Sequence, residues 1–143
     1  MYNVLDICKY VVHYSNQKNY GISNLRLQKI LYFIQAYFLR IKGKRCFREP
    51  IEAWDFGPVV PKAYHRYKYF GAGEIPDFEK PFIRFDDPVD RQIVEEVVDL
   101  LSEYTTTQLV SMTHRQSPWK DNYKPNANNE ISIEDLKRFA DGQ

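Results

Sequence analysis

Little in this chain invites covalent chemistry. It has two cysteines, Cys8 and Cys46, and three histidines in 143 residues. The cysteines lack C-x-x-C spacing, and no zinc-binding set can be assembled around them. The six glycines are scattered and form no phosphate-cradling loop. No apolar run approaches the ~20 residues of a membrane span. The opening Met1-Tyr2-Asn3-Val4-Leu5-Asp6 lacks the basic start and apolar core of a secretory leader. The expectation is a cytoplasmic protein with reduced thiols, no membrane contact, no metal and no cofactor. A nucleophile–base–orienter trio is also missing. Thr113 and His114 are the nearest approach to one, and neighbours on a helix point about 100° apart. No enzyme is expected. His114 reads instead as a ring bonded to a backbone group.

What is present suffices to fold. Hydrophobic residues make up 43% of the chain and charged residues 27%, the balance of a globular domain. Its length fits one domain over residues 1–143. The net charge of +1 conceals a polarised chain. Residues 1–48 carry nine Lys or Arg against Asp6 alone, whereas residues 74–103 carry ten acids against Lys80, Arg84 and Arg91. Two such halves either pair with each other or steer a charged partner.

Hydrophobic periodicity marks about six helices. The first spans Tyr2 to Ser15, with Val4, Ile7, Cys8, Val11 and Val12 as its stripe. The second starts at the N-cap Ser23 and stops at Gly43. Its stripe is Leu27, Ile30, Leu31, Ile34, Phe38 and Ile41, so apolar that the helix should be covered on more than one side. Gln28, Lys29, Tyr32 and Gln35 on it read in two ways. They form a recognition surface, or, the reading we favour, the two glutamines cap neighbouring loops or face solvent. A fourth helix opens with Asp87 as N-cap and Pro88 at N1. Its stripe is Val89, Ile93, Val97, Leu100 and Leu101, with Glu95, Glu96, Asp99 and Glu103 as a solvated face. Thr105 and Gln108 form a capping box for a fifth helix. Ser132 caps a last one, Ile133 to Phe139.

The most informative stretch runs from Phe47 to Phe70. Ile51, Ala53 and Phe56 interleave with Glu52 and Asp55 as a short extended arm. In Gly57-Pro58-Val59-Val60-Pro61 each proline stiffens its own φ and holds the preceding residue extended. Pro61 then suits the first position of a helix through Lys62 to Phe70 that ends at Gly71. Farther on, Phe82, Ile83 and Phe85 read as a strand against the arm. The fold class is therefore mainly α: a compact single-domain helical bundle with a small extended or β-hairpin element around residues 48–56 and 82–85.

Three segments carry a resemblance. Ile51-Glu52-Ala53-Trp54-Asp55-Phe56-Gly57-Pro58-Val59-Val60-Pro61 with Tyr64 resembles the signature of the Panacea, or SocA-like antitoxin, domain. Ser23 to Phe33, with Leu27-Gln28-Lys29 and Leu31-Tyr32-Phe33, is similar to that family's second helix. Leu109 through Thr113-His114 to Pro118-Trp119 looks like its late element. Tyr37-Phe38 stands where relatives often carry Trp-His, a departure from the pattern. The resemblance marks Gln28, Lys29, Trp54, Gly57, Pro58, Pro61, His114, Pro118 and Trp119 as family-motif structural residues. It implies an antitoxin, phage-associated in some relatives, that neutralises a cognate toxin from the adjacent gene by direct protein–protein binding. It also implies a possible second role as an adaptor that delivers the toxin to a bacterial AAA+ protease.

The candidate toxin-binding residues come from the aromatic, basic elbow helix, because Tyr and Arg give large, stiff contacts with polar tips. They are Tyr64, Arg66 and Tyr67, with Asp55 and Lys62 at the rim. The alternative is a DNA-binding repressor or other phage-associated regulatory binding protein, using the basic run Arg40, Lys42, Lys44, Arg45 and Arg48 on phosphates.

Overall fold

The computed structural model describes residues 1–142. The second apolar stripe becomes its axis. Helix α2 (Asn24–Lys42) begins where the Ser23 side chain accepts from Arg26 N–H and ends at Gly43, whose φ of 68° only a glycine adopts freely. Its inner positions are buried on nearly every side. Around it pack α1 (Val4–Gln17), α3 (Pro61–Tyr67), α4 (Pro88–Leu101), α5 (Thr106–His114) and α7 (Ile133–Ala140). A single turn, α6 (Ser117–Lys120), joins α5 to the C-terminal part. The molecule is mainly α, with one sheet among the described residues. The expected caps at Asp87, Thr105 with Gln108, and Ser132 are all formed.

The sheet differs from the expected one. Strands β1 (Ile51–Trp54), β2 (Gly57–Val59) and β3 (Asn129–Ile131) lie in the order β2-β1-β3, antiparallel throughout. Residues 82–85 form no strand. Instead Phe85 packs edge-on against Tyr2 and Tyr10, at 5.4 and 5.2 Å between ring centroids, and Asp86 N–H donates to Tyr2 Oη. This segment is drawn to α1, and Ile51–Ala53 pair with residues 129–131 in its stead.

Two helix faces are also corrected. On α4 the buried positions are Asp90, Ile93, Val94, Val97, Val98 and Leu101, while Val89 and Leu100 lie on the surface. The stripe turns because Asp90 is pulled inward by Lys42 and by Tyr2 Oη–H at 2.5 Å. Ile41, at the far end of α2, is likewise exposed.

The acids of α4 are more than a solvated face. Tyr10 donates to Glu95, while Tyr14 and Tyr20 donate to Asp99 at 2.9 and 2.7 Å. Burial and the facing carboxylate push the Tyr10 phenol up to about 12. Lys42 pairs with Asp87 at 3.0 Å and with Asp90, and His13 Nδ1 lies 3.0 Å from Asp77. The basic and acidic halves thus face each other, largely through tyrosine hydroxyls. Arg40, Lys44, Arg45 and Arg48 stay exposed, without an ion pair among the described residues. No helix among the described residues is long and apolar enough to cross a membrane.

Candidate functional site

The elbow is built on α2. Strands β1 and β2 join through a two-residue turn, Asp55-Phe56, with Trp54 opposite Gly57. Gly57 has a φ of 106° and sits so close to α2 and α5 that a Cβ would lie 2.7 Å from both Lys29 Cε and Thr113 Oγ1. Lys29 is fully buried, and its Nζ donates to Pro58 O at 2.9 Å. Burial alone pushes its pKa down to about 7. Next to it, Gln28 Oε1 accepts from Val60 N–H at 3.0 Å, and Gln28 Nε2 donates to Asn24 Oδ1 at 2.8 Å. Asn24 Nδ2 in turn donates to Tyr64 O at 3.1 Å. The outer edge of β2 and the entry to α3 are therefore gripped by α2 side chains, which removes the need for a further strand there.

Gln35 holds the neighbouring loop in the same way, donating to Phe47 O and accepting from Cys46 N–H. Tyr32 donates to Gln116. Gln28, Lys29, Tyr32 and Gln35 are all buried, so they make no recognition surface. They satisfy backbone and side-chain groups inside the fold.

The hairpin tip is fixed from the other side by three stacked rings. His114 and Trp119 lie 4.1 Å apart between centroids, and Trp119 and Tyr123 4.5 Å apart. Each ring donates a hydrogen bond to the tip: His114 Nε2 to Asp55 O at 3.0 Å, Trp119 Nε1 to Trp54 O at 2.7 Å, and Tyr123 Oη to Asp55 Oδ1 at 2.5 Å. A carbonyl oxygen only accepts, so the His114 tautomer carries its proton on Nε2. Pro118 is buried at the start of α6.

Beside the clamped tip lies a groove of about 570 Å³. Its apolar walls are Leu25, Trp54, Phe56, Val59 and Tyr64, with Lys68 at one edge. The Trp54 ring meets Tyr64 edge-on at 5.0 Å. Phe56 is 66% exposed. Asn126 and Asn128, both with positive φ, also line it.

Of the five residues expected at an interface, two line this groove: Tyr64 forms a wall and Asp55 the tip. Lys62 is exposed but turns toward Glu49, 4.0 Å away. Arg66 lies 2.9 Å from Glu79 and stacks over Tyr67 and Phe78 at 5.3 and 5.4 Å, strapping the following loop to α3. Tyr67 is only 1% exposed. It shares the inward face of α3 with Ala63, one helical turn before it, so it is a core residue rather than a contact residue.

Sequence reasoning missed Phe56, Leu25, Lys68 and the two asparagines. Phe56 carried a readable signal: with Ile51 and Ala53 inward, strict alternation puts position 56 on the outer face. The asparagines become neighbours of the tip only through β3. Among the described residues no His, Cys, Asp and Glu group is placed to hold a metal ion. The arrangement offers a shaped, partly apolar surface on a rigid support, suited to binding.

Comparison with known proteins places the chain among relatives by sequence. The family model described as "Antitoxin SocA-like, Panacea domain" matches residues 27–120, from α2 through the elbow to α6. The protein named Antitoxin SocA, from Caulobacter vibrioides (strain NA1000 / CB15N), is 34% identical over 109 residues, covering 68% of this chain and 58% of that relative. The chain therefore spans a little over half the length of this relative. No solved structure matches.

Proposed function

The chain belongs to the SocA-like Panacea-domain antitoxin family, and from that premise we propose that it is a cytoplasmic antitoxin that neutralises a cognate toxin by binding it directly. The observation that carries this reading is the coincidence of the family's matched region with a clamped hairpin that leaves a large aromatic residue, Phe56, facing water. Phe56 is not an isolated exposed ring: with Leu25, Trp54, Val59 and Tyr64 it forms one apolar groove wall, which a partner surface would bury. We place the contact on the groove, with Phe56, Tyr64 and Trp54 as anchors and Asp55 and Lys68 at its rim. Lys62 and Arg66 lie outside the groove, paired with Glu49 and Glu79. Delivery of the bound toxin to an AAA+ protease is the extension that the family suggests, and it requires the toxin's half-life to fall when the two proteins are co-expressed.

The test is co-expression with the product of the adjacent gene, scored by growth rescue and by co-elution in size exclusion. Rescue with a stable complex supports neutralisation by binding. Rescue with an unchanged toxin half-life and no complex contradicts both binding and delivery. A second reading, a DNA-binding regulator, draws on the four exposed unpaired cations Arg40, Lys44, Arg45 and Arg48. It requires DNA binding by the isolated protein that weakens steeply with salt.

A further inference from the structure

We propose that the elbow groove takes from the toxin a segment in which a bulky apolar side chain stands beside a carboxylate. This rests on the antitoxin reading and specifies the chemistry of its partner.

The apolar half of the argument is the wall of Leu25, Trp54, Phe56, Val59 and Tyr64 around about 570 Å³. That space holds a large side chain together with flanking backbone. The polar half comes from asking which groups in the groove still lack partners. The amides at its floor are committed: Gln28 to Asn24 and Val60, and Asn24 to Gln28 and Tyr64. The Trp54 indole N–H is used by Glu52 at 2.9 Å. Asp55 already accepts from Tyr123. Lys68 and the Tyr64 hydroxyl remain: the hydroxyl makes no hydrogen bond, and Lys68 is exposed with no ion pair, among the described residues. The two other cations of this helical segment are matched, Lys62 by Glu49 and Arg66 by Glu79. Residues 58–73 contain no acid at all, so the sequence around Lys68 does not neutralise it. Asn126 and Asn128, which also line the groove, are exposed, and their side chains make no hydrogen bond among the described residues. They are free to bond the partner's peptide groups.

Lys68 and Asp55 both line the groove, so charge also orients the occupant. A carboxylate is attracted to the Lys68 side and repelled by the Asp55 tip, and an ammonium group meets the reverse field. The apolar side chain then lies between Phe56 and Tyr64.

Two small probes with similar aromatic tails isolate this chemistry: 3-phenylpropionate and 3-phenylpropylamine. Each is titrated at millimolar concentration into the isotope-labelled full chain while the Trp54 indole and backbone resonances are followed. The carboxylate probe should shift Trp54, Phe56 and Lys68 together and bind several-fold more tightly than the amine. Lys68→Glu should reverse that order. Its position on the surface leaves the resonance dispersion unchanged, which serves as the folding control. Equal binding of the two probes, shifts centred elsewhere, or an unchanged preference in Lys68→Glu would overturn the proposal. The antitoxin reading stands or falls separately, on growth rescue.

Discussion

Lys29 is the residue on which the elbow rests. An unfolded lysine holds its proton up to about 10.5, whereas this buried one releases it near 7. Between those values the unfolded chain binds more protons than the folded one, so this residue's contribution to stability rises with pH across that window. Below about 7 both states are charged, and the contribution stays at its least favourable level. Lys29→Met removes the charge and leaves Pro58 O without its donor. The stability difference between wild type and this variant, read from urea midpoints, should therefore move toward the wild type between pH 7 and pH 9. A difference independent of pH would contradict the assignment.

Gly57 is fixed by the same contact. Alanine there combines an unfavourable positive φ with a Cβ 2.7 Å from Lys29 Cε and Thr113 Oγ1. The expected loss is at least ~2 kcal/mol, and an equilibrium melt within ~0.5 kcal/mol of wild type would show that the tip gives way instead.

At the scale of elements, the hairpin is held between α2 and the ring stack of His114, Trp119 and Tyr123. Trp119→Phe keeps an aromatic ring in the stack but removes the donor to Trp54 O. It should cost about 1 kcal/mol and speed hydrogen exchange at the tip more than in α4. Uniform exchange changes would mean that the stack supports the whole core rather than the hairpin.

This is also the scale at which the sequence can be judged as a guide. Caps were legible because each depends on residues within three positions of one another: Ser23, Asp87 with Pro88, Thr105 with Gln108, and Ser132. The pairing of Ile51–Ala53 with Asn129–Ile131 was not, because a three-residue strand carries no period and its partner is far away in the chain. The α4 stripe was misplaced by one residue at its N-terminal end, since an acid, Asp90, fills a buried position that hydropathy assigns to the apolar Val89 beside it. The groove was half legible: the elbow's composition points to Asp55 and Tyr64, and both line it. Tyr67 was misread because tyrosine suits a core or a surface, and only the inward face it shares with Ala63 decides. The burial of Lys29 left no signal beyond its place in the family motif, since isolated buried ammonium groups are rare and its acceptor, a proline carbonyl, leaves no trace in the sequence.

For the whole molecule, the polarised halves close on each other through Tyr2, Tyr10, Tyr14 and Tyr20 on the acids of α4. These phenols lie above their usual range, through burial for the first three and through the Asp99 hydrogen bond for Tyr20. They lose protons in the unfolded chain before the folded one, so stability should fall as pH rises past about 10. Alkaline titration followed by helical circular dichroism checks this; an unfolding midpoint unaffected by Tyr10→Phe with Tyr14→Phe would contradict it.

The measurement that bears most directly on the account is the dissociation constant for the adjacent-gene product, compared between wild type and a Phe56→Ala, Tyr64→Ala double variant of matched thermal stability. Two central aromatic anchors are worth ~2 kcal/mol or more together, so binding should weaken by at least about thirtyfold and growth rescue should be lost. An unchanged affinity in the folded double variant would contradict the placement of the toxin on the elbow groove.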